Sequence, residues 1–363
     1  MSSIQRWALL AAVVALLVAA TVAVRARPVT GADLEADELL ARIEAAGGAS
    51  YSGYVETLGT LQLPVADRFT DVGALFGERT RMRVWWRGPQ QWRVDKLTPA
   101  GETDLIHAGP LTTQWSYERA EATTYVDPDI RLPRTADLLP PVLARRVLAD
   151  AEARTEPLAA RRVAGRPAAG VRVRPAGPAA SIVHVDLWAD VDTGIVLRVD
   201  VHVSGEDRPV FTSEFREFSP TTPPASRTRF APPPGAERSF EDVLDVADAA
   251  NQYADAVPLP SLAGLPVAPT TRGAVGVYGT GLTQLLVVPL WDRAAEPLRE
   301  QLLASPGSRV VEGDALLSVG PLGVLLTDER HGDGWLLAGT VTQDALLSAA
   351  AELDSSGVWE HHR

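Results

Sequence analysis

Catalysis and metal binding draw on a short menu of side chains, and this chain spaces few of them for such work. Its six histidines are His107, His184, His202, His331, His361 and His362. A metalloenzyme helix sets two histidines one turn apart with a glutamate between them, and no such pair occurs here. His184 and His202 fall on two strand-like runs of one hairpin. A closed metal site needs three or four convergent ligands, so both read as solvent-facing strand residues. His361-His362 belong to a polar tail. No G-x-S-x-G elbow exists to expose a nucleophilic serine. The glycines of "GAVGVYGTGL" approach dinucleotide-binding spacing, but a strand-like run follows where a helix would have to hold the phosphates, so a tight hairpin is expected. The acid pairs Asp190/Asp192 and Asp242/Asp245 suit turns and helix N-termini. Which carboxylates face one another across a cleft is not fixed by sequence. With no cysteine, the chain has no disulfide, zinc–thiolate site, cysteine nucleophile or lipid-modified cysteine. The expectation is therefore no catalytic residue, no metal site, no cofactor and no enzyme.

What remains is a run of large apolar side chains set among arginines, "RMRVWWRGPQQWRVDKL", residues 81 to 97. Read with period two, Met82, Val84 and Trp86 share one side and Arg81, Arg83, Trp85 and Arg87 the other. Gly88-Pro89 breaks the run as a turn does. Trp92 and Val94 then resume one face, Arg93 and Asp95 the other. This is a hairpin with an apolar face and a basic face. The apolar face is either ordinary core or the wall of a site for an apolar ligand. The chain around it is long enough for two domains, with 363 residues. Its 46% hydrophobic and 22% charged residues are those of a globular protein and not of a disordered one. A formal net charge of −12 argues against nucleic acid as a partner, since a basic face must replace the counterions.

The elements that must position this hairpin follow along the chain. Residues 7 to 24 carry no charge and lie between Arg6 and the pair Arg25 and Arg27. About 18 to 20 apolar residues span a bilayer core, and Val24-Arg25-Ala26 resembles a small-x-small cleavage site. Residues 1–27 are thus a retained single-span anchor or a cleaved signal, and both export the rest. Leu34, Leu39, Leu40 and Ile43 recur at helical spacing up to Gly47-Gly48. "YSGYVETLGTLQLP", the tryptophan hairpin and "ETDLIHAGPLTTQWSYERAEATTYV" then read as a meander of antiparallel strands. Residues 135 to 150 interrupt it with an amphipathic helix carrying Leu138, Leu139, Val142, Leu143, Val147 and Leu148, with Pro140-Pro141 near its start. Strands return, and Val183 to Val203 form a hairpin around Asp192-Thr193-Gly194. Residues 219–238 are rich in proline, serine and threonine and read as a linker between a first domain, 33–218, and a second, 239–355. Ser239 with Asp242 looks like a capping box for a helix. Two hairpins and a closing helix capped by Thr342 complete the second domain before a tail, 356–363.

These pieces resemble, in order, a known family. "YSGYVE", "VWWRGPQQWRVD", "TDLIHAGPLTTQWSYERAEATTYV" and "VDLWADVDTGIVLRVDV" are similar to the successive strands and hairpins of the LolA fold. That fold occurs in lipoprotein carriers and in the first domain of the RseB/MucB regulators of extracytoplasmic sigma factors. "GVYGTGLTQLLVVPL" and "GWLLAGTVTQDALLSAAAEL" resemble the second domain of RseB. The resemblance covers most of residues 50 to 353; the stretches 256 to 275 and 304 to 314 depart from it.

The resemblance implies a mainly β, α+β protein. A curved, incomplete antiparallel barrel would be closed by a helical lid over its apolar concave side, with a smaller α+β domain after it. Met82, Val84, Trp86, Trp92, Val94, Trp115, Leu139 and Leu143 would line an apolar cavity, with the arginines in water; the alternative is that they pack on the lid helix and bind nothing. The implied function is a membrane-anchored sensor on the extracytoplasmic face of a bacterial plasma membrane. It would bind a membrane anti-sigma factor or similar signalling protein and respond to a lipid or acylated protein. The alternative is a carrier of lipids or lipoproteins with no regulatory role.

Overall fold

The structure is a computed structural model that describes residues 34–60, 75–128, 130–240, 246–252, 254, 256–328 and 333–356. The expected span at 7–24 and the tail from 357 lie outside the described residues. Among those described, no helix is long and apolar enough to cross a membrane.

Twelve strands build one open antiparallel sheet with a single parallel pair at its edge. They are β1 (Tyr51–Gly59), β2 (Arg79–Gly88), β3 (Gln91–Thr98), β4 (Gly101–Ala108), β5 (Leu111–Ser116), β6 (Glu121–Val126), β7 (Arg154–Val163), β8 (Arg166–Arg174), β9 (Ile182–Asp190), β10 (Val196–Val203), β11 (Phe211–Ser219) and β12 (Glu237–Phe240). Their spatial order is β12-β6-β5-β4-β3-β2-β1-β11-β10-β9-β8-β7. The barrel is incomplete, as the alternation of the strands and the family resemblance led one to expect. Period two decides what each strand buries. In β2 every second residue from Thr80 to Trp86 is buried, and in β3 Trp92 and Val94 match them.

Helices cover the concave face. α1 (Ala36–Ala45) buries Leu39 and Ile43, one helical turn apart. Its acids Asp37 and Glu38 occupy the first turn, where the helix dipole favours negative charge. A 3-10 turn, Thr135–Leu138, leads into α2 (Pro140–Val147), whose prolines sit at the start because their missing N–H groups are not needed there. Asp137 organises this segment. It accepts hydrogen bonds from Arg131 at 2.6 Å, Arg146 at 2.9 Å and the Arg134 backbone N–H at 2.8 Å. Burial alone would raise its pKa, but the Arg131 hydrogen bond and the charges of Arg131 and Arg146 hold it below the usual carboxyl range. The β9–β10 hairpin is tied to α1 at its turn. Gly194 there has φ +72°, and a Cβ would lie 2.3 Å from the Arg42 carbonyl oxygen, so only glycine fits.

A short helix, α3 (Ala225–Thr228), and β12 come from the stretch read as a linker. Instead of bridging free space, residues 219–240 lie across the convex face of the first sheet. α3 packs on β2, β3 and β4, Phe230 packs at a tilt against Trp115 with centroids 5.3 Å apart, and β12 pairs in parallel with β6. Ser239 is accordingly a strand residue and not a helix cap; its hydroxyl donates to Thr123 Oγ1 at 3.1 Å.

Beyond it come α4 (Val246–Asn251), the small pair β13 (Ser261–Leu262) and β14 (Leu265–Pro266), and a second sheet. That sheet holds β15 (Gly276–Thr280), β16 (Thr283–Trp291), β17 (Arg309–Val311), β18 (Asp314–Val319), β19 (Leu322–Leu326) and β20 (Asp333–Gly339), in the order β15-β16-β20-β19-β18-β17. α5 (Asp292–Leu303) follows β16, and α6 (Gln343–Ser356) closes the chain and buries Leu346, Ala349 and Leu353. Thr342 caps α6 through its hydroxyl. The two sheets touch where Ala180 bridges Val341, where the Ser181 hydroxyl donates to the Pro321 carbonyl, and where Gly281 meets Asp150.

Candidate functional site

The register of four strands places one aromatic ladder on the concave face. Tyr51 of β1 is opposite Trp86 of β2, Trp86 opposite Trp92 of β3, and Trp92 opposite His107 of β4. Directly opposed side chains share a face, so the rings stack in sequence. Successive centroids lie 5.7, 5.6 and 5.0 Å apart, with interplanar angles of 3°, 4° and 12°. Phe215 of β11 meets Tyr51 edge-on. The ladder ends in polar contacts. His107 Nδ1 lies 2.9 Å from Thr112 Oγ1, which donates to Asp127 at 3.2 Å. Burial pushes the His107 imidazole down and the Tyr51 phenol up.

The helical segment closes over this ladder. Leu139 is fully buried, and the Ser213 hydroxyl of β11 donates to the Leu138 carbonyl at 2.6 Å. Arg145 of α2 lies 5.9 Å over the Trp86 ring. A cleft with about 330 Å³ of unfilled space, part of it open to solvent, remains between α1, α2 and the sheet; Tyr51, Trp86, Pro141, Arg145 and Gly194 border it. Among the described residues that line it there is no serine, threonine, histidine, lysine or carboxylate. The chemistry on offer is recognition of an apolar group by stacked rings, with one guanidinium at the rim.

Of the residues singled out from sequence, Met82, Val84, Trp86, Trp92, Val94 and Leu139 come together in one buried cluster under the helices. Leu143 is half-buried against it. None of the six is more than 9% exposed, so in this state they are packed core. Trp115 requires correction. It is opposite Asp104 and Ala122, and Asp104 is opposite Asp95 on the face of β3 that points away from Trp92. Trp115 therefore faces the convex side, where Phe230 covers it. Sequence reasoning missed Tyr51, His107, Phe215 and Arg145. The first two were findable, because they fall opposite the tryptophans once the turns are counted.

The convex face is not simply arginines in water. Trp85 has the guanidinium groups of Arg83, Arg93 and Arg227 at 5.9, 5.6 and 5.6 Å from its ring. Beneath them Asp95 and Asp104 are buried as cross-strand partners. Arg93 donates to both, at 2.6 and 2.7 Å. Burial, then the neighbouring Asp95 charge, pushes the Asp104 carboxyl up to about 8. Two buried carboxyls this close titrate as a pair. His184 and His202 also depart from expectation. They are cross-strand partners, their rings stack at 4.3 Å, and both are mostly buried.

No protein-family model and no curated protein matches the sequence. Solved structures do match. The crystal structure of MucB in complex with MucA(peri) aligns with TM-score 0.50 and 17% identity, over 87% of this chain and 97% of that one. The complex of Pseudomonas aeruginosa MucA and MucB aligns with TM-score 0.49 and 18% identity, over 86% and 96%. A structure of MucB aligns with TM-score 0.47 and 14% identity, over 87% and 96%. The chain has the fold of MucB: a curved, open sheet with helices in its hollow, followed by a smaller α+β part.

Proposed function

We propose that the chain is an extracytoplasmic regulator that binds a membrane anti-sigma factor, or a signalling protein of that kind, and releases it when an apolar ligand enters beneath α2. The observation that carries this reading is the extent of the likeness to MucB. It runs through both sheets, and MucB is a protein solved with MucA bound. A fold that merely carried lipid would need only the first sheet.

The physical basis is competition. A ligand shifts such an equilibrium only by its differential affinity for two states. In the closed state the ladder of Tyr51, Trp86 and Trp92 is covered by Leu139, Leu143 and Arg145. An acyl chain, from a lipid or an acylated protein, would replace the apolar side chains of the lid and hold it away. Met82, Val84 and Val94 would then wall the opened cavity. On this reading the chain works as two units, 33–218 and 239–355. Residues 1–27 export it and, if retained, hold it at the membrane.

The test is a pull-down from detergent-solubilised membranes of the source cells with the full chain as bait. Recovery of one single-span membrane protein supports the regulator. Recovery of nothing specific, or only a mixture of acylated proteins, overturns it in favour of a LolA-like carrier, the reading that the apolar concave face alone would suggest.

A further inference from the structure

We infer that His184, Asp186 and His202 form a binding site for one divalent transition-metal ion, with zinc the best fit. The three come together because of strand register. His184 and Asp186 are two apart on β9 and share a face, and His202 on β10 is directly opposite His184. One ligand atom from each lies within 4.8 Å of the others.

The spacing fits an ion better than a hydrogen bond. His184 Nε2 is 3.8 Å from Asp186 Oδ1, and His202 Nε2 is 3.8 Å from Asp186 Oδ2. Both are too long for a hydrogen bond. Metal–ligand bonds of about 2.0 to 2.2 Å at a tetrahedral angle set such atoms about 3.4 Å apart, so a small side-chain rotation closes the site. His184 has a further need of a partner: neither ring nitrogen has one, although both are buried.

Arg172 supports the site rather than filling it. Its Nε and Nη2 donate to Asp186 Oδ1 and Oδ2 at 2.7 and 2.9 Å. Each carboxylate oxygen keeps a second lone pair, and a ligating carboxylate fixed by an outer hydrogen bond is the usual arrangement. Arg174 is engaged with Glu156 nearby. Two imidazoles and one carboxylate select zinc, copper or nickel over calcium or magnesium, which prefer oxygen alone. Water completes the shell from the solvent side, where His184 and His202 keep 14% and 17% of their side chains exposed.

The test is calorimetric titration of Zn²⁺ into the full chain in detergent, near neutral pH, with the tail silenced as H361A/H362A. One equivalent should bind. H184A and H202A should each weaken binding about tenfold or more, R172Q by a lesser factor, and H107A not at all. With Co²⁺ as probe, a visible absorption band should appear and vanish in H202A. The more exposed H202A serves if H184A does not fold, as checked by circular dichroism. No saturable binding in the tail-silenced chain, or binding as tight as the parent's in folded H202A and H184A, overturns the assignment.

Discussion

Trp86 and Trp115 look alike in sequence but do different work. Trp86 is 4% exposed and sandwiched between Tyr51 and Trp92. Trp86→Ala should cost about 3–5 kcal/mol in denaturant unfolding. Trp115→Ala removes a contact with Phe230 on the other face. It should leave binding of a fluorescent fatty acid unchanged, whereas Trp86→Asp, if the chain still folds, should abolish it. Asp104 gives a second prediction, with its sign fixed by linkage. The folded state keeps a proton that the unfolded chain loses above the ordinary carboxyl range. Stability should therefore fall as pH rises from that range towards about 8. Asp104→Asn, neutral at every pH, should flatten this slope, as read by urea midpoints from pH 5 to 9. At this scale the sequence was partly legible. Period two assigned Met82, Val84, Trp86, Trp92 and Val94 to one face, because alternation within a hairpin is a property of the backbone. It did not assign Trp115, whose face emerges only when the Gly109-Pro110 turn is counted: Ala108 opposite Leu111 sets Trp115 opposite Asp104. The Asp95–Asp104 pair was within reach: Thr98 opposite Gly101 fixes Asp95 opposite Asp104.

Among the elements, α2 and the strap of residues 219–240 hold opposite faces of one sheet. The docking of the strap was not legible in the sequence for a physical reason. Its proline, serine and threonine content forbids a long helix or a central strand, which is the composition of a free linker. The same residues also suit an extended segment docked by a few large side chains, here Arg227 over Trp85 and Phe230 on Trp115. Phe230→Ala should free it, raising proteolysis within 219–240 while leaving the first sheet's near-ultraviolet circular dichroism intact apart from Trp115. The lid is held by fewer bonds. Ser213→Ala removes the one from β11 to the Leu138 carbonyl and leaves that buried oxygen short of a donor. About 1–3 kcal/mol of lost stability is expected. Hydrogen exchange should quicken in α2 before it quickens in β2 and β3.

Across the whole molecule, Gly281 marks one close approach between the parts that carry the two sheets. Its φ is +59°, and a Cβ there would lie 2.4 Å from Asp150 Cβ and 2.8 Å from the Asp150 backbone nitrogen. Gly281→Val should push the parts apart. The measurement is calorimetric melting: one transition in the parent should split into two in the variant. That contact was invisible in the sequence, where Gly281 read only as part of a tight hairpin, because a glycine required by a neighbour looks like a glycine required by a turn.

A twelve-strand sheet that does not close has two edges, and each is a template on which another chain can add. The outer strand β12 is four residues long, too short to recruit much. At the far side β7 carries Pro157, which offers no N–H, a register break between Leu158 and Arg161, and the charges of Arg154, Arg161 and Arg162. These are the devices that keep open sheets from stacking edge to edge. They let a protein with an apolar hollow stay dispersed at high local concentration, with its backbone guarded by chemistry rather than by closure.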